Sequence, residues 1–400
     1  MKNILLIMPY GSVGGMERLA LNFYTHYKAQ GYTVKAIKII QLKSDIIYFS
    51  EDEIALSTID FYEMSFAKRF WFYIKIPFLI RKIIKQNKCT HSIAFGDMAN
   101  VFSSLSFTSE FKIASIHALK SVEFVSKSFL NTVFKLAFKS SYFFFDKVVC
   151  ISQAIKIDLI QNCGYKFKNK LQVIYNPHNV AEIEKLATIP IESSIENELF
   201  TNDVVLFLGR MSTQKAPWHL IKAFSLLENK NNKIKLVLIG DGDQSITEYL
   251  KSLVEKLNIK SSVVFLGRKS NPYQYLKRAK VLALTSYYEG TPNVIVEAIA
   301  TDTPIVSSNC TDGIIELMSA FEKKNIENCI YTESGIITPN FFKGELSIPT
   351  DETSTYEEIT FSKALKLVLE NTVFKQKLTE SSTILLSKFN LEQVAKQYLS

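Results

Sequence analysis

The sequence predicts an α/β protein with two Rossmann-like domains. Two segments open alike, each with an apolar strand, a glycine-containing turn and then a helix: Ile4–Met8 with Pro9–Gly15, and Val204–Leu208 with Gly209–Lys215. Apolar runs then alternate with helix-period segments after each opening, the pattern of parallel sheets covered by helices on both faces. The length, 400 residues, has room for both domains.

Taken in order, Ile4–Met8 is a buried first strand, because a short continuous apolar run meets turn residues at once. It is also too short for a signal-peptide core. A helix follows from about Glu17, and Val34–Ile40 is the second strand. The linker lies near 179–203, a polar stretch carrying Pro190. In the second half, strands are expected at Val204–Leu208, Ile234–Ile239, Val263–Leu266, Val281–Thr285 and Pro304–Ser307. Pro217 suits the first turn of the helix after the second opening. Residues 333–357, rich in Ser, Thr, Pro and Gly, are expected to be an irregular insertion, and Leu391–Leu399 a terminal helix. The domain limits are set at 1–185 and 186–385, with 386–400 packing back toward the first domain.

Composition removes several classes. Hydrophobic residues are 47% and charged residues 22%, which excludes a disordered or collagen-like chain. Five cysteines with no CxxC pair argue against a zinc ribbon or a disulfide framework and fit a reducing cytoplasm. No run of about 18 apolar residues marks a membrane-spanning helix.

Charge is uneven. Residues 1–185 carry 24 basic and 14 acidic side chains, net +10, and residues 186–400 carry 23 and 25, net −2. The first half should face something anionic. Within it, Phe66–Lys88 holds Lys68, Arg69, Lys75, Arg81, Lys82, Lys85 and Lys88 among large apolar residues, with no acid. Lys127–Phe145 places Lys127, Lys135 and Lys139 among six phenylalanines. Basic residues interleaved with apolar ones suit an anionic membrane interface. No nucleic-acid-binding module appears, so nucleic acid is not expected as a partner.

Three segments carry the chemistry. The first is the turn Gly11-Ser12-Val13-Gly14-Gly15, whose paired glycines let backbone amides approach a ligand at a helix start. It is not GxGxxG and no acid closes the second strand, so a nicotinamide dinucleotide site is disfavoured. The second runs from Gly209-Arg210 to Gln214-Lys215, just past a strand's carboxyl end. Two cations five residues apart in such a turn can converge on a diphosphate. The third is Glu289-Gly290-Thr291-Pro292-Asn293-Val294 through Glu297. Its helix begins near Pro292 or Asn293, where free amides can hold an anion. One carboxylate then suits sugar hydroxyls and the other a ribose, although an acid in a first turn also serves the helix dipole.

These three segments, in this order, resemble glycosyltransferase family 4, the retaining GT-B enzymes. Ile151-Ser152, Ile174-Tyr175-Asn176-Pro177, Ile239-Gly240-Asp241-Gly242 and Val264-Phe265-Leu266-Gly267 add to the likeness. The resemblance implies a GT-B fold, two Rossmann-like domains facing a central cleft. It implies that Arg210 and Lys215 bind the donor diphosphate, Glu289 the donor sugar and Glu297 the ribose. Gly209 opens that segment; Pro292, Asn293 and Val294 would line the sugar and phosphate pocket; Phe265, Gly267 and Arg268 would lie beside the base. Gly14 and Gly15 would form the opposing wall. His117, after a short strand, matches the family's histidine beside the transferred sugar. The Asp241-Gly242-Asp243 run looks like a metal motif of the other glycosyltransferase fold, but this family needs no metal, and no cofactor is expected. The sequence departs from the family at Thr311-Asp312-Gly313, where aspartate replaces the first of two glycines.

The expected activity is transfer of a sugar, with retention, from a nucleoside diphosphate sugar, a UDP-hexose or UDP-N-acetylhexosamine. The expected acceptor is a glycan or polyprenyl-diphosphate-linked sugar in bacterial surface-glycan assembly, met at the cytoplasmic membrane face. The alternatives are another GT-B enzyme, a UDP-sugar epimerase or phosphorylase, or a non-catalytic sugar-nucleotide-binding partner.

Overall fold

The computed structural model describes residues 2–11, 15–124, 129–227, 233–321, 323–348 and 353–400. The chain divides into two units, Met1–His178 with Lys388–Ser400, and Asn179–Ser387.

The first unit is built on a seven-stranded parallel sheet. Its strands are β1 (Asn3–Met8), β2 (Thr33–Lys38), β3 (Glu53–Ala55), β4 (His91–Phe95), β5 (Phe111–Ile116), β6 (Lys147–Cys150) and β7 (Leu171–Val173). Their spatial order is β3-β2-β1-β4-β5-β6-β7. Leu5, Leu6, Ile7 and Met8 of β1 are wholly buried, as a central parallel strand covered on both faces requires. The terminal helix Leu391–Leu399 belongs to this unit. Tyr398 Oη and Ser115 Oγ lie 2.9 Å apart, and Tyr27 Oη donates to the Ala395 carbonyl at 2.9 Å.

The second unit holds an eight-stranded sheet of β8 (Asp203–Leu208), β9 (Ile234–Ile239), β10 (Val263–Gly267), β11 (Val281–Leu284), β12 (Ile305–Ser308), β13 (Lys324–Ile326), β14 (Cys329–Thr332) and β15 (Gly335–Thr338). The order is β10-β9-β8-β11-β12-β15-β14-β13. The order reverses beside β8, so the loops leaving β8 and β11 flank the crevice where open α/β sheets bind ligands.

Two sequence expectations need correction. The limit at 185/186 falls inside the helix Val180–Ala187, and the units divide at His178/Asn179, because that helix packs on Tyr273–Leu276 and Asn293–Ala300 of the second unit. Residues 333–357 are not irregular throughout: β15 is buried and pairs in parallel with β12. Gly335 sits at φ +146°, and a Cβ there would lie 1.9 Å from the Ile305 carbonyl oxygen. A glycine that seemed to mark a loop is there to let two strands approach. In the second basic-aromatic stretch, Phe138 and Phe145 are core residues, whereas Lys135, Leu136, Lys139, Phe143 and Phe144 are exposed. Lys127 lies outside the described residues.

The first such stretch is a single helix, Phe66–Gln86, capped by Ser65, whose hydroxyl accepts from Lys68 N–H. It buries Ile76, Ile80 and Ile84 and exposes Phe66, Phe70, Trp71, Ile74 and Phe78. Among the described residues no helix is long and apolar enough to cross a membrane.

Candidate active site

In the second unit the sequence-predicted residues gather at the carboxyl ends of β8, β9, β10 and β11. Glycines allow three of these loops to meet. Gly209 N–H donates to the Ile239 carbonyl at 3.0 Å, Met211 N–H to Asp241 at 2.9 Å, and Gly240 N–H to Gly267 at 2.9 Å. A Cβ on Gly240 would stand 1.9 Å from the Gly209 oxygen, and one on Gly242 2.4 Å from the Met211 oxygen. Gly267 is needed for a different reason, its φ of +64°.

On this platform Arg210 is exposed, and among the described residues it makes no hydrogen bond or ion pair. Lys215 turns inward: its Nζ lies 2.5 Å from Glu289 Oε1. Ser286 Oγ donates to the same oxygen at 2.8 Å. The loops carrying the pair are bound together by Gln214 Nε2 donating to the Tyr288 carbonyl at 3.1 Å and Tyr287 N–H to the Gln214 carbonyl at 2.8 Å. Thr285 Oγ1 is placed to donate to the carbonyls of Lys215 and Ala216.

The helix Asn293–Ala300 starts beside this pair. Pro292 is its N-cap and makes no side-chain cap, so nothing from the cap covers the first amides. Ile295 N–H is taken by the Pro292 carbonyl, whereas Asn293 and Val294 precede the first helical acceptor. Thr291 Oγ1 is buried with no hydrogen-bond partner among the described residues. Glu297 stands one turn into the helix, half-buried. Gly313 sustains the turn from the other side, since a Cβ there would be 2.6 Å from the Gly290 oxygen. The aspartate that departs from the family pattern, Asp312, occupies the first turn of the helix Asp312–Met318, where an acid is favourable. The glycine that the turn requires is the second one, and it is present.

Phe265 is half-buried against the core at the end of β10. Arg268 is exposed, 4.0 Å from Asp241. Asp243 caps the helix Gln244–Lys256 by accepting from Ser245 N–H at 2.9 Å and Oγ at 2.7 Å, bonds that lower its pKa. Helix capping is therefore the work this aspartate does.

The remaining predicted residues are in the first unit. Gly15 begins the helix Gly15–Ala29, and Gly14 lies outside the described residues. His117 follows β5 with Nε2 enclosed and without a partner among the described residues. Burial, and secondarily Lys120, lowers its pKa to about 3, so it is neutral near pH 7. Burial opposes the charge of Lys120, but Asp97 and Glu123, at 2.8 and 2.6 Å, raise its pKa overall.

Known proteins match this arrangement. The family model described as Glycosyltransferase Family 4 matches residues 13–182, and that described as Glycosyl transferases group 1 matches residues 191–329. The chain carries both of these glycosyltransferase domains, one after the other, in a GT-B fold. The Campylobacter jejuni GalNAc-α-(1→4)-GalNAc-α-(1→3)-diNAcBac-PP-undecaprenol α-1,4-N-acetyl-D-galactosaminyltransferase is 26% identical, with 100% of this chain and 98% of that protein covered. An uncharacterized glycosyltransferase of Haemophilus influenzae is 26% identical over 98% of this chain and 97% of its own length. The crystal structure of Anabaena HepE with UDP and glucose superposes with a TM-score of 0.74 at 18% identity, covering 100% of this chain and 98% of that one, a likeness of fold.

Sequence reading of this glycosyltransferase missed the residues that hold Glu289 and Tyr287. Ser286 is one small polar residue after a strand, a signal with no specificity. No motif marks His219, yet its Nδ1 lies 2.7 Å from Glu358 and its Nε2 2.9 Å from Tyr287 Oη. Burial lowers its pKa, so it is neutral, donating to the carboxylate and accepting from the tyrosine. Cys310 is the other omission: burial, then the charge of Glu289, pushes its thiol well above the usual range. No spacing rule in the sequence links 219 to 358 or 310 to 289.

Proposed function

We propose that this GT-B enzyme transfers a hexose or N-acetylhexosamine from a UDP-sugar, with retention and without a metal, to a polyprenyl-diphosphate-linked acceptor at the membrane. The observation that carries the reading is the Lys215–Glu289 pair, with Glu289 on the same loop that leads into the uncapped helix start at Asn293. Breaking the bond from the anomeric carbon to the diphosphate oxygen moves negative charge onto the leaving group. Arg210, Lys215 and the amides of Asn293 and Val294 stabilise that charge with dipoles already in place. Glu289 accepts hydrogen bonds from the sugar hydroxyls and Glu297 from the ribose. Gly209, Phe265, Gly267 and Arg268 border the base and phosphates, and Pro292 shapes the pocket. The acceptor hydroxyl attacks from the face the diphosphate leaves, and its proton passes to the departing phosphate oxygen. In the first unit His117, neutral, keeps an enclosed Nε2 that can hydrogen-bond a sugar hydroxyl.

The acceptor class is supported by the Campylobacter relative, whose name specifies an undecaprenol-diphosphate-linked glycan. UDP is supported by the HepE complex. Membrane attachment is supported by the exposed lysines and aromatics of Phe66–Gln86. The test is turnover of UDP-hexoses and UDP-N-acetylhexosamines with undecaprenyl-diphosphate-linked sugars in excess chelator, with the product anomer read by NMR. Retention in chelator supports the reading. An inverted product, a metal requirement, or UDP release without any glycosylated acceptor contradicts it.

A further inference from the structure

The donor reading above, on which this inference rests, puts Glu289 on the sugar, and the loop carrying Glu289 hangs from a chain of three buried side chains. Glu358 is wholly buried, and His219 and Tyr287 are buried with it. Glu358 is fixed first. In the capping box of the helix Tyr356–Glu370 one of its oxygens accepts from Thr355 N–H at 2.9 Å, and Lys222 Nζ lies 3.4 Å from the same oxygen. Its other oxygen lies 2.7 Å from His219 Nδ1. A carboxylate can only accept, so Nδ1 carries the hydrogen and Nε2 of the neutral ring is left as an acceptor. The Tyr287 hydroxyl, 2.9 Å from Nε2, must then donate. Phe341 stacks on the imidazole with centroids 4.5 Å apart, which fixes the ring plane.

The phenol depends on that bond. Tyr287 and His219 border a cavity of about 490 Å³, so packing does not by itself fix the tyrosine. The main chain is held separately. Tyr287 N–H donates to the Gln214 carbonyl at 2.8 Å, and Asn340 Nδ2 donates to the Tyr287 carbonyl at 3.1 Å. One residue earlier, Ser308 Oγ donates to the Ser286 carbonyl at 2.7 Å, while Ser286 Oγ reaches Glu289. Residues 286 and 287 are thus tied to β12, to the segments after β8 and β15, and through the buried chain to the helices Pro217–Ser225 and Tyr356–Glu370. A fully satisfied polar chain in a dry interior specifies one arrangement more than it adds stability. We propose that Glu358, His219 and Tyr287 are positioning residues for the donor sugar: Glu358 fixes the tautomer of His219, His219 holds the Tyr287 phenol, and the held loop sets Glu289, two residues on, for the sugar hydroxyls. Lys215 lies on the other loop, so the diphosphate contacts do not depend on this chain.

The test uses the full chain. Tyr287→Phe removes the hydroxyl and keeps the ring, and a thermal melt shows that it folds. Its kcat with the UDP-sugar that the parent turns over should fall about ten- to a hundredfold, while UDP affinity, by calorimetry, stays within about twofold of the parent. His219→Leu should lose as much, and His219→Gln, whose amide oxygen can stand in for Nε2, should regain most of it. In a Glu289→Gln background Tyr287→Phe should cost nothing further, whereas a residue that only stabilised the fold would cost the same there. The Lys215–Glu289 coupling, read without ligand from denaturant melts of the single and double alanine variants, should shrink to about half or less when Tyr287→Phe is added. An unchanged kcat, an equal loss in the Glu289→Gln background, a loss of UDP affinity as large as the loss in kcat, or an unchanged coupling overturns the assignment. A shrunken coupling in a parent that neither binds UDP nor turns over a UDP-sugar upholds the positioning of Glu289 and counts against the donor reading instead.

Discussion

Lys215 and Glu289 form a direct ion pair, Nζ to Oε1 at 2.5 Å, with Ser286 on the same carboxylate oxygen. Their side chains are only 16% and 9% exposed, so each neutralises the other in a largely dry site. The donor must therefore exchange part of this pair for its own contacts. Lys215→Ala and Glu289→Ala should each lower kcat/KM by about 10²–10³, the scale of one lost transition-state contact. Each should also destabilise the fold by up to about 3–5 kcal/mol, since a buried charge is left alone. The double variant should be more stable than the two single losses predict by addition. Denaturant melts of the four proteins measure this; strict additivity contradicts the pair.

The glycines of the donor loops should differ in their tolerance. Gly240→Ala places a methyl against the Gly209 backbone oxygen, so the loop bearing Arg210 must move. Gly267→Ala meets no atom within 4 Å and suffers only its φ of +64°, a cost of about 1–2 kcal/mol. UDP affinity, measured by calorimetry, should fall much further for Gly240→Ala. Equal losses would mean that the contact between the β8 and β9 loops does not position the site.

Lys38 is a wholly buried lysine at the end of β2, with Asp45 at 3.2 Å and Glu53 at 3.0 Å. Asp45 in turn accepts from Gly11 N–H at 3.1 Å, so the cation anchors the start of the glycine turn. Lys38→Met leaves two carboxylates without it and should cost about 3–5 kcal/mol. A thermal melt within a degree of the parent would contradict this.

Two buried histidines of the first unit make stability depend on pH. Burial lowers His117 to about 3 and His178 to about 4, so the folded form stays neutral where the unfolded chain takes up protons near 6.5. The unfolded state then binds more protons, and stability falls as pH drops from about 6.5 toward 4. The slope is up to about 1.4 kcal/mol per pH unit for each histidine. Urea melts between pH 7 and 4.5 should show this, and His178→Asn should flatten it. An unchanged slope in that variant would locate the dependence elsewhere.

Much of this was legible because parallel α/β units write themselves as apolar runs and glycine turns. The strands opening each unit, the helix start at Asn293 and the terminal helix Leu391–Leu399 are where the sequence places them. Short motifs also located Gly209–Lys215 and Glu289–Glu297 on adjacent loops. What stayed hidden depends on contacts distant in sequence. Ser334-Gly335 looked like a loop because a glycine needed for strand approach is indistinguishable from one needed for a turn. Nothing in the strand Val34–Ile40 announces that Asp45 and Glu53 close on Lys38. An apolar groove lined by Ile74, Met98 and Phe134 likewise arises only where three helices meet.

The central claim is a nucleoside diphosphate site at Arg210, Lys215 and the helix start of Asn293. It is tested most directly by thermal stabilisation of the protein by UDP, GDP and ADP in chelator. UDP at 100 times its Kd should add about 2.7 kcal/mol, with the gain reduced in Arg210→Ala and in Lys215→Ala. No stabilisation of the folded parent by any of the three would contradict the account.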